Sequence, residues 1–217
     1  QDGFGVVHRA HASTEAVPKL IKHRVAGFLL EKEVTKINLA MKNPQKPLVA
    51  LIGGAKVSDK IELIDKFIEI ADVVLIGGAM GNTFLKANGY DVGKSLYEPD
   101  MIGEAKRIMD KAHARVDSGD FLFYLPQDAV VSAKMDSRTT TRIVDWSAHA
   151  IANIESYPRK PAMITNMLRE NEAIYDIGPF SGAFMAGVIQ MASTVVWNGT
   201  MGVIEVNALH SPIGPFS

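Results

Sequence analysis

Three apolar runs of this chain end in glycine, and that pattern restricts the fold more than any other feature: "LVALIGG" (48–54), "DVVLIGGAM" (72–80) and "TVVWNGTMGV" (194–203). None of them alternates apolar with polar residues. A non-alternating, β-rich run belongs to a strand covered on both faces, as in a parallel sheet. The segments between read as helices. "VSDKIELIDKFIEIA" (57–71) carries Ile61, Ile64, Phe67 and Ile68 at amphipathic spacing. "GNTFLKANGY" reads as a short helix stopped at Asn88-Gly89, and residues 99–117 as a helix opening near Pro99. "SGAFMAGVIQMA" (181–192) reads as a helix with Ser181 as its N-cap. "FLFYLPQDAVV" (121–131) reads as one strand broken at Pro126. Strands alternating with helices imply βαβ crossovers and a mainly parallel α/β sheet. Residues 132–173 are polar and rich in Thr and Arg, and predict a short antiparallel or irregular excursion. Upstream, "GFLLEKEVTKINLAMKNP" (27–44) places Phe28, Leu29, Val34, Ile37 and Met41 at near-helical spacing and stops at Asn43-Pro44, which predicts a long connector helix.

Bulk properties narrow the function classes. The 217 residues carry a net charge of −1, which argues against a general nucleic-acid or membrane-surface role. No run reaches about 18 consecutive apolar residues, so no membrane span is expected. There is no cysteine, which excludes disulfides and thiolate metal sites and fits a reducing compartment. The opening "QDGFGVVHRAHAS" has neither a basic n-region nor an apolar h-region, and no initiating Met, so the chain is expected to be cut from something longer.

The carboxyl ends of parallel strands lie along one sheet edge, and ligands bind outside that edge. Here Gly53-Gly54, Gly77-Gly78 and Gly199 are expected there. Glycine lets backbone N–H groups approach a bound group, and a following helix N-terminus favours an anion. Lys56 and Lys60, four apart, would share one helical face and reach phosphates at the turn. Against this stands the plainer reading: such glycines are common for packing alone, and helix lysines are usually just solvated. No G-x-x-x-x-G-K-[ST] or G-x-G-x-x-G motif occurs. "HRAH" (8–11) has three readings: a surface loop, a metal site lacking a nearby third ligand, or an anion grip by Arg9 with His8 and His11. "NGT" (198–200) reads as a fortuitous sequon, and Asp59 and Glu62 as helix-surface charges.

Taken in order, "DGFGVVHRAHAST", "GFLLEKEV", "ALIGGAKVSDKIELI", "LIGGAMGNTFLKANGYDVGKSL", "DIGP" and "VVWNGTMGVIE" resemble the phosphoglycerate kinase family across nearly the whole chain. The resemblance implies a Rossmann-like three-layer nucleotide-binding domain, truncated here, behind a connector helix. It implies phosphoryl transfer between 1,3-bisphosphoglycerate and ADP, giving 3-phosphoglycerate and ATP, with Mg²⁺ accompanying the nucleotide. Residues 1–26 would end the phosphoglycerate-binding domain, 27–42 form the interdomain helix, and 43–217 make an incomplete nucleotide-binding domain. Arg9 and His11, with His8 in the same motif, resemble the end of the basic patch for phosphoglycerate. Lys60 resembles the lysine on the nucleotide phosphates, and Lys56 the one that stabilises charge on the transferring group. Gly54 belongs to the same turn. Gly77 and Gly78 resemble the turn beside the nucleoside, Asn198 the turn near the phosphates, and Glu205 the acid on the ribose hydroxyls. None of these residues is expected to ligate metal. A cytoplasmic monomer without nucleic-acid or membrane partners is implied.

Three positions depart from the family pattern: Ile174 replaces a glycine and would crowd the adenine pocket, Thr200 replaces a proline, and Phe180 replaces a small or polar residue. The family's metal-binding G-G-D-T/S turn is expected beyond residue 217, and most of the phosphoglycerate domain before residue 1. The chain alone is therefore expected to be inactive, with an open apolar sheet edge. The alternative is a non-catalytic nucleotide-binding or interaction module of the same fold. A nicotinamide-dependent dehydrogenase is disfavoured by the missing dinucleotide fingerprint.

Overall fold

Strand β1 (Leu48–Ile52) is the strand on which the main sheet is built, and all five of its residues are buried. A strand covered on both faces has no use for polar side chains, which is why "LVALI" does not alternate. The computed structural model describes residues 1–136, 141–147 and 167–204, and the backbone of 164–165. These divide into two units, residues 1–45 and 46–217.

In the larger unit, β1 pairs in parallel with β2 (Val73–Ile76) on one side and β8 (Thr194–Asn198) on the other. β3 (Leu122–Tyr124) pairs in parallel with β2, giving the order β3-β2-β1-β8. The predicted parallel sheet is therefore present. Helix α3 (Ile61–Ile70) crosses from β1 to β2 and seats Ile64, Phe67 and Ile68 in the core. Helices α4 (Gly78–Ala87) and α5 (Ile102–Val116) cross from β2 to β3. Helix α6 (Pro179–Gln190) packs Met185 and Val188 against Val49, Leu51 and Leu75. Its Phe184 ring stacks on Tyr124, centroids 4.4 Å apart.

Several sequence expectations need correction in detail. The run 121–131 is two strands, not one: β3 stays in the main sheet, while β4 (Asp128–Ser132) starts a second sheet. Pro126 stands between them, where a ladder N–H would otherwise be needed. In the second sheet β4 runs antiparallel to β5 (Arg142–Asp145) and to β7 (Ala173–Ile177), and β6 (Ile164–Thr165) lies parallel to β5. The described part of the polar excursion is thus mostly antiparallel. The helix expected from 57 begins at Ile61, and Ser181 is not the N-cap of α6. That position belongs to Gly178. The cap is supplied from another element: the Asp128 carboxylate accepts the N–H groups of Phe180 and Ser181, both at 2.8 Å. Ser181 Oγ instead accepts the Gln127 N–H at 3.0 Å, tying α6 to the start of β4.

A buried ion pair holds the second sheet. Arg142 is 8% exposed and grips Glu172, 4% exposed, in two-pronged fashion: Nε to Oε1 at 2.7 Å and Nη2 to Oε2 at 2.5 Å. Nη2 also donates to Met167 O at 2.7 Å. On the outer strand β8, Val195 and Trp197 are exposed, 42% and 58%, so the main sheet has an apolar edge face among the described residues.

The smaller unit holds a short helix α1 (Val17–Leu20) and the long helix α2 (Phe28–Lys42). α2 ends where Asn43-Pro44 predicts. Its N-terminus is capped from a distance: Asp2 Oδ1 accepts the Leu30 N–H at 2.8 Å, and a side chain at Gly27 would collide with that carboxyl. Phe28, Leu29, Val34 and Ile37, the stripe that predicted the helix, are exposed.

Arg142→Met is expected to destabilise the chain by about 3–5 kcal/mol, because it leaves the Glu172 carboxylate buried without its cation. Urea unfolding measures this; a loss below about 1 kcal/mol would show that the pair is not what holds β5 to the 167–172 turn.

Candidate functional site

The sheet order reverses between β1 and β8: from β1 the chain continues outward to β2 and β3, and it returns on the other side as β8. In open α/β sheets this switch point opens a crevice at the strands' carboxyl ends. Here the glycine turns meet. A Cβ on Gly53 would lie 2.1 Å from Thr200 O, one on Gly199 2.3 Å from Gly53 O, and one on Gly78 2.5 Å from Gly54 N. Gly54, Gly78 and Gly199 also have positive φ.

Gly53, Gly54, Gly77 and Gly78 do not offer their N–H groups to a ligand. Gly53 N–H donates to Asn198 O (2.9 Å), Gly54 N–H to Thr200 O (3.0 Å), Gly77 N–H to Ile52 O (3.0 Å) and Gly78 N–H to Met201 O (2.8 Å). The three turns are packed backbone on backbone. Of the two sequence readings, packing accounts for these glycines; the expected N–H cradle is not formed by them. The positive charge at the crevice therefore comes from side chains.

Lys60 is the N-cap residue of α3, and its Nζ donates to Asn198 Oδ1 at the end of β8. Its aliphatic stem passes over Gly54, where a Cβ would lie 3.2 Å from Lys60 Cε. Gly54, Lys60 and Asn198 thus converge. Lys56 does not share a helical face with Lys60, because the helix starts only at Ile61 and Lys56 lies in the preceding loop. That loop is held by Glu98, which accepts the N–H of Val57 (2.5 Å) and of Ser58 (3.2 Å) and the Ser58 hydroxyl (2.6 Å). Burial works to raise the Glu98 pKa. The bonds from Ser58 and Val57 and the charge of Lys56 outweigh it and hold the carboxyl below its ordinary value.

Behind the turns lies a mostly apolar cleft of about 230 Å³ whose walls include Gly54, Gly78, Leu85, Ile174 and Met201. Ile174, read as a crowding side chain, does line it. Its polar lining residues are Asn82 from α4, Tyr175 and Asp176 from β7, and Thr200. Asn82 is 2% exposed. Asp176 sits against Gly202, where a Cβ would lie 1.9 Å from its Oδ1. Burial without a cationic partner pushes the Asp176 carboxyl up to about 6, partly offset by the Ile177 N–H.

Other sequence-predicted residues fall elsewhere. Gly77 is the N-cap residue of α4, so the strand expected over 72–80 stops at Ile76. His8, Arg9 and His11 are exposed on the smaller unit, in a turn tied by Thr14, whose hydroxyl donates to Arg9 O and accepts the His11 N–H. Glu205 lies outside the described residues. Sequence reasoning missed Glu98, Asn82 and Asp176. Only Asp176 carried a signal, the one charged residue of the "AIYDI" strand.

The Asp176 carboxyl sets a pH dependence with a definite sign. Its folded pKa lies above the ordinary value of 3.8, so the folded chain holds this proton more tightly than the unfolded one. Its contribution falls as pH rises from about 4 to about 6 and is then constant. Asp176→Asn removes that loss. The variant is expected to gain about 1–3 kcal/mol over the parent at pH 8 relative to pH 4, measured by urea unfolding at both; equal differences at the two pH values would refute the assignment.

The profile of one protein family, Phosphoglycerate kinase, matches residues 1–211. Phosphoglycerate kinase of Pelobacter propionicus is 42% identical over 207 residues, covering 95% of this chain and 46% of that protein. The Enterococcus faecalis enzyme of the same name is 43% identical over 206 residues, 95% of this chain and 45% of that protein. Among solved structures, the phosphoglycerate kinase of Coxiella burnetii superposes with a TM-score of 0.76 at 36% identity, covering 95% of this chain and 47% of that one. That of Pyrococcus horikoshii gives 0.71 at 25% identity, covering 96% and 47%. The chain spans about half the length of the relatives it matches. With its parallel sheet, its glycine-closed crevice and a match over nearly every residue, the chain belongs to the phosphoglycerate kinase family.

Proposed function

We propose that this chain is the nucleotide-holding part of a glycolytic kinase that moves a phosphoryl group between 1,3-bisphosphoglycerate and ADP, giving 3-phosphoglycerate and ATP. The observation that carries the reading is the convergence of Lys60 and Asn198 over Gly54 at the switch point of the parallel sheet. In the reading, Lys60 holds the nucleotide phosphates and Lys56 meets charge on the transferring group. Asn198 orients Lys60, Gly77 and Gly78 shape the floor beside the nucleoside, and Glu205 takes the ribose hydroxyls. Arg9, with His8 and His11, receives phosphoglycerate. Residues 1–26 then end the phosphoglycerate domain, 27–42 link the domains, and 43–217 hold the nucleotide. The reading includes a monomer in the cytoplasm.

Phosphoryl transfer asks the protein for positioning and charge neutralisation more than for covalent chemistry. Lysine ammonium groups beside a crevice with apolar walls meet that demand, since charge interactions strengthen away from water. Among the described residues no three acidic or imidazole side chains gather into a metal site. In the reading, Mg²⁺ accompanies the nucleotide phosphates, and none of the steps above is assigned to it.

A non-catalytic nucleotide-binding module is the second reading, favoured by Ile174 in the cleft wall. Calorimetric titration with Mg-ADP tests both. Saturable binding, weakened at least about tenfold by Lys60→Ala through loss of a charge-assisted phosphate contact, is expected. No binding by a folded chain would defeat the kinase and module readings alike. A coupled assay is expected to find little or no turnover by the 217-residue chain, which spans about half of its relatives. Robust turnover would contradict the assignment of this chain to one part of the catalytic apparatus.

A further inference from the structure

The two lysines at the crevice mouth are held in different ways. Lys60 is the N-cap residue of α3, its N–H donates to Val57 O at 2.8 Å, and its Nζ donates to Asn198 Oδ1. Lys56 is exposed in the preceding loop, and among the described residues its side chain makes no hydrogen bond or ion pair. Its direction is set through its backbone alone.

That backbone is set by Glu98. The Val57 N–H belongs to the same planar peptide unit as the Lys56 Cα and C=O, so a partner for this N–H fixes the plane from which the Lys56 side chain starts. Glu98 Oε2 is that partner, at 2.5 Å, and it also accepts the Ser58 N–H at 3.2 Å, while Oε1 accepts the Ser58 hydroxyl at 2.6 Å. Val57 cannot swing away, because its side chain is fully buried. Glu98 is itself anchored. Its N–H donates at 3.1 Å to Oγ1 of Thr83, a fully buried residue of α4, and two residues earlier Leu96 O accepts the Asn82 amide at 3.0 Å. Hydrogen bonds therefore run from α4 through Glu98 to the peptide beneath Lys56. Glu98 does not line the cleft.

A lysine that grips a phosphate loses chain and rotamer freedom, and a backbone fixed in advance lowers that cost. We infer that Glu98 is a positioning residue, which touches no ligand and aims Lys56 at the terminal phosphate of a bound nucleoside triphosphate. The inference rests on the nucleotide reading of the crevice and on the role given there to Lys56. Because Lys60 keeps its own anchors, Glu98 acts on the terminal phosphate and not on the two inner ones.

The test is calorimetric titration of the 217-residue chain with Mg-ATP and with Mg-ADP, which differ by that phosphate. Lys56→Ala is expected to weaken ATP binding at least about tenfold and ADP binding less than about twofold. Glu98→Ala is expected to reproduce the pattern, with a loss of at least about fivefold for ATP alone. The double variant is expected to bind ATP within about twofold of Lys56→Ala, since the two changes remove one interaction. Glu98→Gln is expected to stay within about threefold of the parent, because its amide oxygen can accept both N–H groups and its NH₂ can donate to the Ser58 hydroxyl. Should Glu98→Ala not fold, Glu98→Asp, too short by one methylene for the same bonds, takes its place with the same expected loss. An unchanged ATP affinity in Lys56→Ala or Glu98→Ala, an equal loss for both nucleotides, additive losses in the double variant, or a gain in ATP affinity when Glu98 is neutralised overturns the inference and leaves the nucleotide reading standing. Failure of the folded parent to bind either nucleotide overturns both.

Discussion

The parallel pairing of β1 with β8 is the contact on which the crevice depends. It sets Ile52 opposite Asn198 and thereby brings the turn at 53–54 against the turn at 199–201. The two backbones approach so closely that side chains are excluded at Gly53 and Gly199, and the N–H groups of Gly53 and Gly54 donate to Asn198 O and Thr200 O. Lys60 then finds Asn198 only because the strands are in this register. A slip of one residue would reverse every side chain of β8 between the sheet's two faces and separate the pair.

The crevice has two ends of opposite character. At the mouth, lysines project from a loop and a helix start, and the nearby Glu98 braces the loop through Val57 and Ser58. Inside, Asn82 and Asp176 offer acceptors between apolar walls. The same carboxyl that disfavours an anion inside the cleft lacks any internal cation, which is why burial raises its pKa. Placing an unpaired carboxyl in a cleft weakens the fold, and sites of binding are where such local costs are tolerated.

The sheet could be read directly from its continuous apolar runs, although β1 is buried along its whole length and β8 leaves Val195 and Trp197 exposed. The helices could be read too, apart from their starts. Loop residues 57–60 look helical by composition, but Glu98, distant in sequence, takes the Val57 and Ser58 N–H groups. The same reason hid the true cap of α6: Asp128 reaches it from another strand. For the candidate site, Lys60, Asn198 and Gly54 were visible as motif residues, and the structure brings them together. The use made of the glycine N–H groups was not visible, since only the fold reveals which carbonyls they meet. Asn82 was hidden because its burial and its bond to Leu96 O, a contact across a loop, depend on the fold.

The β1–β8 register also orders events in time. β1, β2 and β3 lie close enough in the chain to associate while later residues are still being made, whereas β8 arrives only after α6. Contacts of such sequence separation form late, because loop closure must precede them. Until β8 docks, Gly54 has no backbone partner in Thr200 and Lys60 has no Asn198. Among the described strands of the main sheet β8 is therefore made after β1, β2 and β3, and β1 exposes an apolar edge until β8 docks.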